Sequence, residues 1–206
     1  MLTLSGREIR DHLVYLVGLG LVGAILIALL IAAAFEGIQI EIVPPIIMLT
    51  LILGVGLCAL GATQMYGDRV NRVSPLLATL AVTRNHILAA RIVVGILAVL
   101  LALVPVIVAS TILLRMFLPP LAFYGRMLVE TSVTMILVGL ACYSVGLLVG
   151  WTTSRAWLLG GCLLLLTVPI SLVWIKGFGP DAMMLLLLFI GAALLQTWHT
   201  FTSASL

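Results

Sequence analysis

From Met1 onward the chain alternates between long apolar runs and short polar interruptions, and six of the runs are long enough to cross a bilayer. They cover residues 13–34, 46–63, 92–114, 127–150, 156–175 and 182–198. A crossing helix needs about 20 predominantly apolar residues at 1.5 Å each, so the second run, about eighteen residues long, sits near the lower limit. Pro44-Pro45 reads as a break ahead of it, after a loop from 35 to 43 that carries Glu36 and Glu41 and no base. Pro105 and Pro169 fall inside runs and predict kinks. Residues 115–126 read as a loop broken by Pro119-Pro120, with Phe117, Phe123 and Tyr124 as interfacial aromatics. Ser5-Gly6-Arg7-Glu8 has capping-box spacing and predicts a short surface helix before the first run.

The longest polar interruption is the stretch 64–91, QMYGDRVNRVSPLLATLAVTRNHILAAR, with Arg69, Arg72, Arg84 and Arg91 against the single acid Asp68. Inside it, Ser74 can cap first-turn amides, and Pro75 at the first helical position has no amide to leave unpaired. Leu76, Leu77 and Leu80 then form one apolar stripe at helical spacing. Thr83 is a second cap, opening a helix through Arg84 into the third run. The expectation is a short amphipathic helix held between spans two and three.

Composition narrows the class. Of 206 residues, 64% are hydrophobic and 8% charged, against roughly a quarter charged in soluble domains. The chain therefore reads as a single all-α integral membrane domain over 1–206, multi-pass. The first run exceeds the roughly 7–15 residues of a signal-peptide core, so it reads as a retained span. The net charge of +3 comes from bases at span ends and does not indicate nucleic acid. With the N-terminus inside, Arg7, Arg10, Arg69, Arg72, Arg84, Arg91 and Arg155 are cytoplasmic, and Arg115, Arg126 and Lys176 are outside. Seven against three places both termini and the 64–91 stretch in the cytoplasm.

Candidate chemistry is sparse. Cys58, Cys142 and Cys162 each lie in apolar runs without a CxxC and read as small packing residues. His12, His86 and His199 are scattered at span ends and suggest no metal or catalytic site. Glu130 is the one acid placed within a span, where a carboxylate is by default a proton or substrate site. Arg126, four residues earlier on the same helical face, offers an ion pair instead, and the pair is the reading adopted here. Small residues recur at close-packing spacing as Gly146/Gly150, as Gly54-Cys58-Ala62, and as Gly160-Gly161. For the fourth span, packing within one chain is the simpler reading.

The 64–91 stretch resembles the permease subunit of type 2 ABC transporters, whose loop between spans two and three reads roughly E-R-x-x-G-T-L-x-x-L-L-x-x-P-V-S-R and ends near a Lys. Asp68-Arg69 stand at the acid and Arg, Leu76-Leu77 at the paired leucines, and Leu80-Ala81-Val82-Thr83-Arg84 at the closing L-P-V-S-R. Asp68 replaces Glu, Val73 replaces Gly, Ala81 replaces Pro, and Arg91 replaces the Lys. The resemblance implies a coupling helix that docks in a groove on a separate ATPase subunit. It also implies the location, a plasma membrane of the prokaryotic inner-membrane kind. Two such permeases, identical or homologous, would sit side by side above two ATPases, which hold the ATP and Mg; this chain would hold no cofactor and would not itself be an enzyme. Asp68, Arg69, Arg72, Leu76, Leu77, Leu80, Thr83 and Arg84 are then the coupling residues, with the leucines as buried anchors and the arginines setting register. In the family the first and fifth spans meet across the dimer, which makes Gly160 and Gly161 the interface residues by implication.

No G-x-x-x-x-G-K-[ST] phosphate loop occurs in the sequence, so the energy for transport would come from the partner. An almost wholly apolar pathway favours lipid-like or amphipathic cargo, moved outward. Three alternatives share the hydropathy: a haem-exporter-like subunit of cytochrome c maturation, a secondary carrier, and a membrane scaffold. The first wants accessible His or Met ligands and the second wants paired repeats with midplane polar sites; the sequence singles out neither.

Overall fold

The computed structural model describes residues 13–36, 43–70, 84–117, 122–151 and 155–203. Six helices make up this part of the chain: α1 (Leu13–Glu36), α2 (Val43–Val70), α3 (Arg84–Phe117), α4 (Ala122–Val149), α5 (Arg155–Lys176) and α6 (Pro180–Ser203). Within hydrocarbon every backbone N–H and C=O must find a partner in its own segment, and apolar runs of this length satisfy that as helix. Four helical stretches are long and apolar enough to cross a membrane: Ile47–Tyr66, Leu88–Met116, Gly125–Val149 and Pro180–Thr200. Val17–Ala33 and Gly160–Lys176 are shorter apolar stretches. Large apolar side chains stand outward, among them Leu21, Leu101, Leu188 and Leu195. An outer surface this greasy is suited to lipid rather than water. The protein is a multi-pass membrane protein.

The helices overrun the apolar runs, and the overruns correct three expectations. Pro44 and Pro45 do not break the chain; they lie in the first turn of α2, where the backbone amides have no intrahelical acceptor and a missing N–H costs nothing. The expected loop at 115–126 is mostly helix: α3 carries Arg115 in its last turn and α4 begins at Ala122. The stretch 64–91 begins as helix, since α2 runs on to Val70, while at its other end α3 starts at Arg84, where the sequence expects a helix to open. Both α3 and α5 continue through their internal prolines, Pro105 and Pro169.

The hub of the bundle is α4, whose residues from Ala141 to Leu147 are all buried. It packs against α2, α3, α5 and α6, while α1 lies on α2 and α3. The α2–α4 seam is the closest approach. A Cβ at Gly146 would lie 2.0 Å from the Cys58 carbonyl oxygen, one at Gly150 would lie 2.8 Å from that of Ala62, and one at Gly61 would lie 2.5 Å from that of Tyr143. Matching 58 to 146 and 62 to 150 runs both helices the same way, and the small residues of each helix face the backbone of the other. The fourth-span glycines and the 54-58-62 series thus serve packing within one chain. Hydroxyls along the helices bond back to carbonyls three or four residues earlier, as Thr134 to Glu130 and Thr197 to Ala193, both at 2.8 Å. These bonds satisfy the hydroxyls within their own helices.

Candidate functional site

Two features of the bundle could carry function: a polar junction at the neck of the 64–91 stretch, and an apolar groove between α2 and α5.

The junction forms where α2, α3 and α4 meet. Tyr143 is buried on α4, and its hydroxyl lies 2.7 Å from Gln64 Oε1 and 3.0 Å from the Arg91 carbonyl oxygen. One hydroxyl proton cannot serve two acceptors, and Gln64 Nε2 is buried without a partner. Turning the Gln64 amide over resolves the conflict at Tyr143: the amide NH₂ donates to the Tyr143 oxygen, and Tyr143 donates to the Arg91 carbonyl. The ring reaches this position because residue 95 is glycine. A Cβ at Gly95 would lie 1.9 Å from Tyr143 Cζ, so the ring rests directly on the α3 backbone. Arg91 itself is only 2% exposed, and its Nη1 donates to Met65 Sδ at 3.5 Å. A guanidinium at this depth is costly to desolvate, so its position is set by its partners. Gln64 and Arg91 are the first and last residues of the arginine-rich stretch. A single tyrosine therefore holds both ends of that stretch against the central helix.

The predicted site residues fall around this neck. Asp68 and Arg69 lie in the last turn of α2, and Arg84 is the first residue of α3; their side chains lie outside the described part. Arg72, Leu76, Leu77, Leu80 and Thr83, with the Ser74 cap, also lie outside the described residues, as does the surface helix expected at Ser5. Arg126 Nε donates to Glu130 Oε1 at 2.8 Å, with the arginine side chain 82% exposed and the carboxylate 26%. Gly161 faces α4, where a Cβ would meet Val149 Cγ1 at 3.4 Å, while Gly160 is exposed with no atom within 4 Å of that position. Gly160 therefore leaves an open notch on the outer face of α5.

The linear pattern gives Gln64, Tyr143 and Gly95 no working role, and it marks Arg91 only as a motif position and a cytoplasmic charge. The available signals were weak ones: a tyrosine in the middle of an apolar run, and a glycine one turn after an arginine. The cysteines carry no pairing signal in the sequence, yet Cys58 Sγ lies 3.2 Å from Cys162 Sγ, joining α2 to α5. Among the described residues, no group of three or more His, Cys, Asp or Glu could hold a metal ion.

The groove lies between the same two helices, and neither of those two cysteines lines it. Its walls are α2 from Thr50 to Leu57 and α5 from Leu163 to Trp174, and α4 closes the floor with Met135, Val138, Gly139 and Cys142. It encloses about 760 Å³. Apart from Thr50 and Thr167 the lining side chains are apolar or sulfur-bearing, and Thr167 Oγ1 already donates to the Leu164 carbonyl at 2.6 Å. Gly54 sits on the α2 wall, where a Cβ would touch only Cys142 Sγ, at 3.6 Å. Trp174, Gly177 and Phe178 complete the lining at the C-terminal end of α5.

The chain matches no protein-family model and is similar to no curated protein.

Proposed function

We propose that this chain is the membrane-spanning permease subunit of an ATP-driven transporter of the exporter type. In this reading all six helices cross the membrane, both termini and the 64–91 stretch face the cytoplasm, and the stretch docks on a separate ATPase subunit. Two permeases rock about a shared interface as the ATPases close on ATP. The observation that carries the reading is the Tyr143 junction. A segment that receives mechanical work has to pass it to the spans through a stiff connection, and Tyr143 ties Gln64 and Arg91 to the α4 hub by short, buried bonds. The close-packed α2–α4 seam supports it further, because backbone against backbone has little room to yield. The resemblance of Asp68-Arg69, Leu76-Leu77 and Leu80–Arg84 to the type 2 ABC permease loop supplies the identity of the engine.

The test is purification in mild detergent with mass spectrometry of bound partners. An ATPase subunit in about equal amount is expected, and replacing Leu76, Leu77 and Leu80 together with Asp is expected to release it. Retention by the triple variant would refute the docking face. Movement of cargo by the isolated chain in nucleotide-free liposomes would refute the reading as a whole.

A further inference from the structure

Cys58 on α2 and Cys162 on α5 are free thiols whose sulfurs lie 3.2 Å apart, with Cys58 donating to Cys162. A disulfide needs about 2.0 Å between its sulfurs, so the bond closes by a shift of about 1.2 Å, a distance that rotation of the two side chains can supply. The two sulfurs differ in access. Cys58 is 1% exposed and packs in the core beside Leu57 and Leu60. Cys162 is half-buried and is the third residue of the apolar stretch Gly160–Lys176, near the Arg155 end of α5. A small solute can therefore reach Cys162, and it acts on Cys58 only through Cys162.

The place of the pair in the bundle gives a bond there a consequence. Helices α2 and α5 each pack along α4 but not along each other, and the groove lies between them. Cys58 directly follows Leu57, the last groove residue of α2, and Cys162 directly precedes Leu163, the first of α5. A covalent bond at this point fixes the spacing of the two walls. On α2 it lies about 9 Å along the helix from Gln64, where the arginine-rich stretch begins.

We infer that Cys58 and Cys162 are a redox latch, closed by hydrogen peroxide to a disulfide that pins α2 to α5 and reopened by a small thiol. Hydrogen peroxide is small and uncharged, which suits a half-buried sulfur in apolar surroundings. The Cys162 sulfur, its proton lost, attacks one peroxide oxygen; the O–O bond breaks, and the other oxygen leaves as water, giving a sulfenic acid at Cys162. The Cys58 sulfur then displaces the sulfenic oxygen, which takes the Cys58 proton and leaves as a second water. Two thiols and one peroxide thus become one disulfide and two waters, with two electrons passing from the sulfurs to the peroxide. Reduction runs by exchange: one thiolate opens the bond to a mixed disulfide, and a second thiol releases it. The disulfide is neutral, so the apolar bundle pays no charge-burial penalty for holding it. The latch is a property of the bundle and does not rest on the chain being an ATP-driven permease.

The test takes the full chain in mild detergent through hydrogen peroxide and then dithiothreitol, reading intact mass, peptide maps and the thermal midpoint at each step. Peroxide should remove two hydrogens per chain. It should also raise the midpoint by about 5 °C, the scale of a bond that joins residues 104 apart in a chain of this size. Dithiothreitol should reverse both changes. In Cys58→Ala, dimedone should trap a sulfenic acid at Cys162; in Cys162→Ala, the buried Cys58 should remain a free thiol. Should Cys58→Ala not fold, Cys58→Ser keeps the side-chain size and serves the same purpose. The proposal is overturned if peroxide leaves the wild-type thiols unbridged, or if the bridge joins two chains or includes Cys142. It is equally overturned if dimedone labels Cys58 in Cys162→Ala, or if the oxidised midpoint does not rise.

Discussion

Replacing Tyr143 with Phe removes one oxygen from the place where three helices meet. The Gln64 amide is then buried with its partner gone, and a buried polar group stranded in this way costs about 1–3 kcal/mol. Thermal unfolding in detergent should show the loss, and an unchanged midpoint would mean that water or another side chain had replaced the hydroxyl. Gly95→Ala attacks the same junction from below. Its methyl would need the space of the Tyr143 ring, 1.9 Å away, and overpacking of this kind costs about 1–3 kcal/mol. Because both changes act on one contact, the double variant should fall short of the sum of the singles. Arg126 and Glu130 behave differently. The arginine is 82% exposed, so Glu130→Gln should shift stability by less than about 1 kcal/mol. A large loss would restore the carboxylate as a working group.

At the scale of elements, the α2–α4 seam and the outer face of α5 predict opposite responses to the same kind of change. Gly146→Ala places a methyl 2.0 Å from a backbone oxygen of α2, which no rotamer can relieve, so the helices must part and the folded yield should collapse. Gly160→Leu meets nothing within 4 Å and should leave the single chain folded. If Gly160 lies at a permease–permease interface, as the family resemblance implies, that variant will still run as a monomer where wild type self-associates, by light scattering in detergent. Cys58 and Cys162 give a third readout. Mild oxidation should convert the two thiols to a disulfide linking α2 to α5, each sulfur losing a proton and the pair giving two electrons to the oxidant. Peptide mapping should find that cross-link in wild type and lose it in Cys58→Ser. Mapping that instead joins Cys142 to either would place the helices differently.

For the whole molecule, α4 at the centre links two different surfaces. Toward the Arg91 end it holds the neck of the arginine-rich stretch; toward the Trp174 end it floors the groove. Motion entering at the neck would reach the groove through one helix, and Cys142 of the groove floor neighbours Tyr143 in the buried run from Ala141 to Leu147. A groove-filling change such as Thr167→Trp, on the exposed side of α5, should leave partner capture at 64–91 untouched, by mass spectrometry of the detergent-purified complex. Loss of capture in that variant would show that the groove and the neck move together.

The linear pattern of the chain was enough to mark it as membrane-embedded and helical and to mark where each apolar run lies, because hydrocarbon leaves a backbone no alternative to helix. It also marked the small-residue spacing at 54-58-62 and 146/150, since close approach demands small side chains wherever it happens. What it could not assign is which faces meet. Pro44-Pro45 look the same in sequence whether they break a chain or start a helix, and only their place in the first turn of α2 decides it. The partners of Tyr143 lie 79 and 52 residues away, and Cys162 lies 104 from Cys58. Contacts at such separations depend on how helices rotate and stack, and in a bilayer no polar-to-apolar gradient across a helix announces that rotation in advance.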